Sequence, residues 1–253
     1  METFKARDGI QIGYFLFGSR GAPPPVILHH GFGASAELNW VLPGVVGALT
    51  AAGRWGVAVD ARGHGRSEKP HDSALYGEGT MGRDLTDVVS RLEVSEYDLV
   101  GYSMGAVVSL LVAVRDPRVR RLVIGGVGAG VVQHGGVDRT ALRPESVIAA
   151  LETPDPTSVT EPLAREFRML ADSTGADRMA LAAQARAMHG EEIPLARIAS
   201  PTLVIAGDED PLATRPELLT SAIPGARLQR VHGDHVSCLF DPRFRESLTS
   251  FLS

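Results

Sequence analysis

The stretch LVGYSMGAVVSLLVAV, Leu99 to Val114, decides the fold. Its first residues form an apolar run of strand type, and its later residues continue as an apolar helix pattern. Between the two stands Ser103, with Gly101 and Gly105 two residues to either side. A Gly-x-Ser-x-Gly match is weak alone, since this glycine and serine content supplies one by chance in roughly one chain in five. Its position is what counts. The match lies where a buried strand turns directly into a helix, and a turn that tight leaves no room for a Cβ at either flanking position. Such turns hold their central residue in a strained backbone region costing ~1–3 kcal/mol. The helix N-terminus beside the hydroxyl favours negative charge on a reacting oxygen. Ser103 is therefore the candidate nucleophile.

A serine hydroxyl is a poor nucleophile near neutral pH without a base. Among the eight histidines, His235 is the best placed, in LQRVHGDHVSCLFDP, after the last strand pattern and before the C-terminal helix pattern. His232 is the local rival, while His134 and His189 are expected to face solvent and His71 to lie in a loop. An acid is then needed to fix the imidazole tautomer and stabilise its charged form. PTLVIAGDEDPLA offers Asp208, Glu209 and Asp210 just after another buried-strand pattern. Asp210 is the choice, with Asp208 as a turn cap. An acyl-transfer site also needs donors for its oxyanion, each typically worth ~3–4 kcal/mol in the transition state. The glycine-rich VILHHGFGAS supplies them in the backbone amide of Phe32, converging with that of Met104. Gly31, Gly33 and Val127 are the candidate substrate contacts.

Working outward, further short runs rich in Val, Leu and Ile occur at Ile10–Phe17, Val26–His29, Trp55–Asp60, Tyr97–Gly101, Val119–Ile124, Pro201–Ala206 and Ala226–Val231. Most are continuous rather than alternating, as in strands buried on both faces. Helix patterns lie between them at Met81–Leu92, with Thr80 as its cap, at Met104–Val114 and at Arg243–Leu252. Strand and helix alternate, which predicts an α/β class with a mostly parallel sheet. From about Val131 to Ile198 the rhythm breaks. Helices are expected at Pro144–Leu151, at Pro162–Ala171 behind a Ser158-x-x-Glu161 capping box, and at Arg178–His189 ending before Gly190. This predicts a helical cap of residues 131–198 inserted into a core made of residues 1–130 and 199–253. GGVGAGVV, Gly125–Val132, does not fit a dinucleotide loop; it is read as a strand end lining the acyl side of a pocket, with no helix directly after it.

The 253 residues, 44% of them hydrophobic, suffice for one sizeable core. A net charge of −5 without any Lys/Arg cluster excludes a nucleic-acid footprint and favours a small-molecule partner. The single cysteine, Cys238, makes no internal disulfide and is expected to be buried. His29, His30, Asp60 and His64 match no metal-ligand spacing. No signal-peptide pattern or spanning segment is read, so a cytoplasmic location without membrane association is expected.

Taken together, these motifs make the chain resemble the α/β-hydrolase-fold family, of the esterase and lactonase kind. His30-Gly31-Phe32-Gly33 resembles the family's oxyanion loop, DARGHGRS (Asp60–Ser67) its following turn, GYSMG its nucleophile elbow, GDEDP its acid turn and GDHVSCLFDP its terminal histidine loop. The match spans Val26 to Pro242, and departs from the family's frequent Gly-Gly only in having Ala106 after Gly105. The resemblance implies a mostly parallel central sheet flanked by helices, and a Ser103–His235–Asp210 triad with no cofactor and no metal. It also implies hydrolysis of a small ester or lactone. C–C bond hydrolysis of diketone-type substrates, perhydrolase or haloperoxidase activity, and acyl transfer share the same triad. A ligand-binding, receptor-like member with little turnover is the rival of another class.

Overall fold

The apolar runs pair into one sheet because each has both faces to bury. The computed structural model describes residues 2–21 and 23–253. Its strands are β1 (Glu2–Lys5), β2 (Gln11–Phe17), β3 (Val26–His29), β4 (Gly56–Val59), β5 (Tyr97–Tyr102), β6 (Val119–Gly125), β7 (Thr202–Gly207) and β8 (Arg227–Val231). They form an eight-stranded sheet of order β1-β2-β4-β3-β5-β6-β7-β8. The β1–β2 and β2–β4 pairs are antiparallel and the others parallel.

Successive residues of the central strands enter different cores, which is why these strands read as unbroken apolar runs. Ile27, Val57, Leu99, Leu122 and Val204 pack on one side of the sheet, where α2 (Glu78–Leu92) lies against α3 (Met104–Ala113). Leu28, Ala58, Val100, Val123 and Ile205 pack on the other, against α1 (Val45–Ala51) and α9 (Pro242–Leu252). Every residue of α3 is buried, so this helix lacks the polar stripe of a surface helix. At the amino end of β5 the fully buried Asp98 is paired with Arg54 at 2.6 Å and with Arg120 at 2.5 Å.

Between β6 and β7 the chain is helical. It contains α4 (Ala129–His134), α5 (Pro144–Glu152), α6 (Pro162–Thr174) and α7 (Arg178–Arg186), and α5 packs on both α6 and α7. α8 (Pro216–Ala222) follows β7 and packs against α4.

Several local expectations are corrected. β1 is an edge strand whose ETFK sequence carries no apolar run. α2 starts at Glu78 with Gly77 as its cap, three residues before the expected start; Thr80 lies inside the helix and accepts from Arg83. Ser158 does not cap α6: its hydroxyl donates to the Asp155 carbonyl, and Glu161 is the N-cap residue. α7 ends at Arg186 rather than His189 and is capped by Asp177, whose carboxylate accepts from Met179 and Ala180. A helix does follow the Gly125–Val132 glycines, since α4 begins at Ala129.

Candidate active site

Four loops at the carboxyl ends of β3, β5, β7 and β8 meet over one edge of the sheet. The sheet's chain order reverses where β3 lies between β4 and β5, the place at which open α/β sheets form crevices. Ser103 caps α3 with φ 54° and ψ −116°, a left-handed conformation rarely taken by a residue with a side chain. Its own amide donates to the Gly125 carbonyl at 2.8 Å, fixing the turn to β6. The glycine requirement is explicit: a Cβ on Gly101 would overlap the carbonyl oxygen of Gly105.

The structure brings together the three residues named as nucleophile, base and acid. His235 Nε2 lies 3.0 Å from Ser103 Oγ. His235 Nδ1 lies 2.8 and 3.0 Å from the two carboxylate oxygens of Asp210. Asp210 is buried and also accepts from the Leu212 amide at 2.8 Å. An ionised carboxylate only accepts, so Nδ1 carries the proton and Nε2 presents its lone pair to the serine hydroxyl. His232 is excluded from this cluster. It is exposed and pairs with Asp208, whose carboxylate also accepts from Gly233.

Two residues that motif reading passes over hold this arrangement. Tyr102, next to the serine, donates its hydroxyl to the His235 carbonyl at 2.6 Å, and its ring lies 5.3 Å from the His235 ring. The same hydroxyl is 3.1 Å from Cys238 Sγ, and burial pushes that thiol up to about 12, leaving it unreactive. Asn39, in a short π-helical turn (Glu37–Val41), accepts from the Gly31 amide at 2.8 Å and so fixes the glycine loop. Neither has a local sequence signal, because each acts across a distance in sequence.

The glycine loop is wired by neutral imidazoles. His30 Nε2 accepts from the Ala61 amide at 2.9 Å, so its Nδ1–H donates to the Gly31 carbonyl at 2.7 Å. His64 Nε2 accepts from Gly33 at 3.1 Å, leaving Nδ1–H for the Arg62 carbonyl at 2.9 Å. Burial pulls His29 and His64 down to about 3, so both stay uncharged. Asp60 accepts from Ala36 and Arg66, and Arg62 pairs with Asp84 and Asp8, closing the neighbouring turn. Among the described residues, the amides of Phe32 and Met104 have no hydrogen-bond acceptor. Gly31 stands against Ser103: a Cβ there would lie 3.2 Å from the serine Cβ.

Ser103, Phe32 and Phe167 separate two cavities. One is a cleft with about 650 Å³ of empty space, open solvent at its mouth included, lined by Gly31, Leu38, Leu42, Leu170, His235 and Phe240, with Leu42 and Phe240 exposed at its rim. The other is a narrow compartment with room inside for about one water-sized group, and about 380 Å³ of empty space only when its mouth is counted. Its wall is Met104, Val137, Leu142, Met188 and Leu212, with Glu78 and His189 as polar members. His189 thus lies against the site instead of facing solvent. The structure places Val127 in the core, bordering neither cavity, and Gly33 beside Leu170 of the helical insertion. Phe167 of α6 packs edge-on against Phe32 at 5.5 Å, so the insertion borders both spaces. No helix among the described residues is long and apolar enough to cross a membrane.

The family model for the alpha/beta hydrolase fold matches residues 24–129. The chain is 30% identical over 125 residues to an sn-1-specific diacylglycerol lipase of Danio rerio, covering 49% of this chain and 38% of the lipase. It is 38% identical over 124 residues to a 2-hydroxy-6-oxo-2,4-heptadienoate hydrolase of Pseudomonas putida, covering 47% of this chain and 43% of that enzyme. The chain thus aligns over less than half the length of these curated relatives. Likeness over the whole chain comes from a solved structure, a hydrolase from Pseudomonas aeruginosa. It superposes with a TM-score of 0.81 at 28% identity, covering 100% of this chain and 98% of that one. The sheet order, the strained serine turn and this whole-chain likeness agree: the protein has the α/β-hydrolase fold.

Proposed function

We propose that this protein is a serine hydrolase that cleaves a small carboxylic ester or lactone through an acyl-enzyme on Ser103. The observation that carries the proposal is the continuous hydrogen-bonded chain from Ser103 Oγ through His235 to Asp210. In the reaction, Ser103 Oγ attacks the carbonyl carbon while His235 Nε2 takes the hydroxyl proton. The carbonyl oxygen becomes an oxyanion and is met by the free amides of Phe32 and Met104. Asp210 holds the imidazole orientation and stabilises the imidazolium. The oxyanion collapses, the C–O bond to the leaving alcohol breaks, and His235 returns the proton to that alcohol. Water, activated by the same His235, then hydrolyses the acyl-enzyme and restores Ser103.

The lipase likeness supports cleavage of an ester bond. The remaining parts of the reading are that residues 131–198 act as a cap and that the partner is a small molecule in the cytoplasm. The test is incubation with p-nitrophenyl butanoate and with a p-nitrophenyl phosphonate. The expected result is turnover, with phosphonate bonded to Ser103 and both lost in Ser103→Ala. Turnover unchanged in Ser103→Ala overturns the reading.

A second reading, C–C bond hydrolysis by the same residues, is favoured by the 38% identity to the Pseudomonas putida hydrolase, which extends over 124 residues. A vinylogous 1,5-diketone, cleaved with a higher kcat/KM than any simple ester, would select it.

A further inference from the structure

The narrow compartment beside Ser103 has an unexpected wall. Apart from Ser103 its lining is otherwise apolar, yet Glu78 is almost completely buried there and His189 is part of the same wall. The Glu78 carboxylate accepts from the His189 amide at 2.7 Å, so the two residues form one unit. His189 Nε2 is out of reach of water and has no hydrogen-bond partner among the described residues. A polar atom left unpaired in a buried position costs free energy, and native proteins keep few of them. A side chain with such an atom and a buried carboxyl that line one cleft with a candidate nucleophile mark a candidate ligand-binding wall.

We propose that this compartment takes the acyl part of the substrate, and that His189 and Glu78 recognise a hydroxyl group carried on it. The proposal rests on Ser103 being the nucleophile. The division of the two cavities follows from the order of steps. The alcohol must leave before water attacks, and the open cleft with its exposed rim gives it an exit. The acyl group stays attached to Ser103, and the narrower compartment receives it, its apolar wall giving way to admit more than the one water-sized group that fits there now.

The choice of a hydroxyl follows from the wall's charge. Burial keeps His189 below its ordinary value, so its ring is neutral. Burial pushes Glu78 up to about 7, so near neutrality it is only partly ionised. A carboxylate on the substrate would meet a partly charged Glu78 with no buried cation opposite it. A cation would meet the fields of Arg139 and Arg115, which act on His189 against the opposing field of the exposed Glu191, and Arg139 also acts on Glu78. A hydroxyl both donates and accepts, so it satisfies Nε2 in either tautomer and Glu78 in either protonation state.

The test compares p-nitrophenyl butanoate with its 3-hydroxy derivative, and the hexanoate with its 6-hydroxy derivative. In the wild type, kcat/KM for the hydroxylated ester should exceed that for the plain one at least tenfold in one pair. His189→Leu and Glu78→Leu should bring that ratio to about one. A wild-type ratio at or below one in both pairs overturns the proposal, as does a ratio unchanged in both variants. Alkylphosphonate p-nitrophenyl esters with the same chains report the subsite without turnover, through their rates of bonding to Ser103. Preferential bonding of the hydroxylated phosphonate without ester turnover supports the subsite while the ester reading fails. Ester turnover without discrimination overturns the subsite and leaves the ester reading standing.

Discussion

Gly105 passes directly beneath the backbone of His29: a Cβ there would overlap the His29 carbonyl oxygen and lie 2.6 Å from that of His30. The glycine that ends the serine motif thereby sets how closely the His30–Gly33 loop approaches Ser103. Neither oxygen is free to retreat, since His29 is bound into β3 and His30 is tied to Ala61 and Gly31. Gly105→Ala is expected to destabilise by at least ~3 kcal/mol, the upper range for overpacking a rigid site. It should also slow phosphonate bonding to Ser103 under conditions where the variant remains folded. Gly47, inside α1, is the control, because a Cβ there would meet nothing within 4 Å. Gly47→Ala should raise stability by about 0.4–1 kcal/mol, measured by urea unfolding.

The histidine assignment separates two neighbours in one loop. The His235 imidazole touches both Ser103 and Asp210, whereas the His232 imidazole is paired with the exposed Asp208. Asp210→Asn should lower kcat for ester hydrolysis by roughly 10³–10⁴, because an amide can donate to Nδ1 and so select the wrong tautomer. Folding should persist, as the amide oxygen still accepts from Leu212. His232→Ala should leave kcat within about twofold and stability within about 0.5 kcal/mol, as for other exposed positions. Steady-state kinetics on one chromogenic ester checks both, and a large loss in His232→Ala would reverse the assignment.

The parts legible in the sequence are those whose cause is local. Tight turns demand glycine, so the turns at Ser103 and Phe32 are visible as motifs, and strands buried on both faces are visible as runs of Val, Leu and Ile. The order serine, acid, histidine along the chain is enough to place Ser103, Asp210 and His235 at one sheet edge. What stays hidden depends on tertiary contact. Tyr102 reads as one more apolar strand residue until its hydroxyl is seen on the His235 carbonyl. His189 reads as a solvent-facing residue at a helix end because nothing local says that α7 stops at Arg186 and turns the chain back onto Glu78. Val127, chosen from its glycine-rich surroundings, is core because α4 follows at once and covers the strand end.

Asp98 gives a stability prediction away from the site. It is fully buried at the start of β5, and both Arg54 and Arg120 are committed to it. Removing one member of a buried pair leaves an uncompensated charge, which costs about 3–5 kcal/mol. Asp98→Ala should lose stability on that scale in urea unfolding, with Arg54 the worse-stranded partner since it is the more buried of the two arginines. A loss under about 1 kcal/mol, the scale of one ordinary hydrogen bond, would mean that the Leu252 carbonyl, which also accepts from both, suffices to hold them.

Glu78 makes the stability of the fold depend on pH. Burial is the largest influence on its carboxyl, opposed by hydrogen bonds from the His189 and Glu78 amides and by Arg139, and the result is a value of about 7 against 4.5 in an unconstrained chain. The folded state therefore binds this proton more tightly than the unfolded state does. Below about pH 4.5 the group is protonated in both states and costs nothing. As pH rises towards 7 the unfolded state gains the freedom to ionise in water, and above 7 the full cost of burying the charge is present. The difference of about 2.5 units corresponds to roughly 3 kcal/mol at 1.36 kcal/mol per unit. Glu78→Gln keeps the shape and an oxygen for the His189 amide but never ionises. Its stability should exceed that of the wild type by up to roughly 3 kcal/mol at about pH 8.5, with the gap closing towards about pH 5. Every other titrating group is common to both proteins, so the difference between their urea unfolding free energies isolates this carboxyl. A gap of equal size at the two pH values would show that Glu78 is not held in its neutral form by burial.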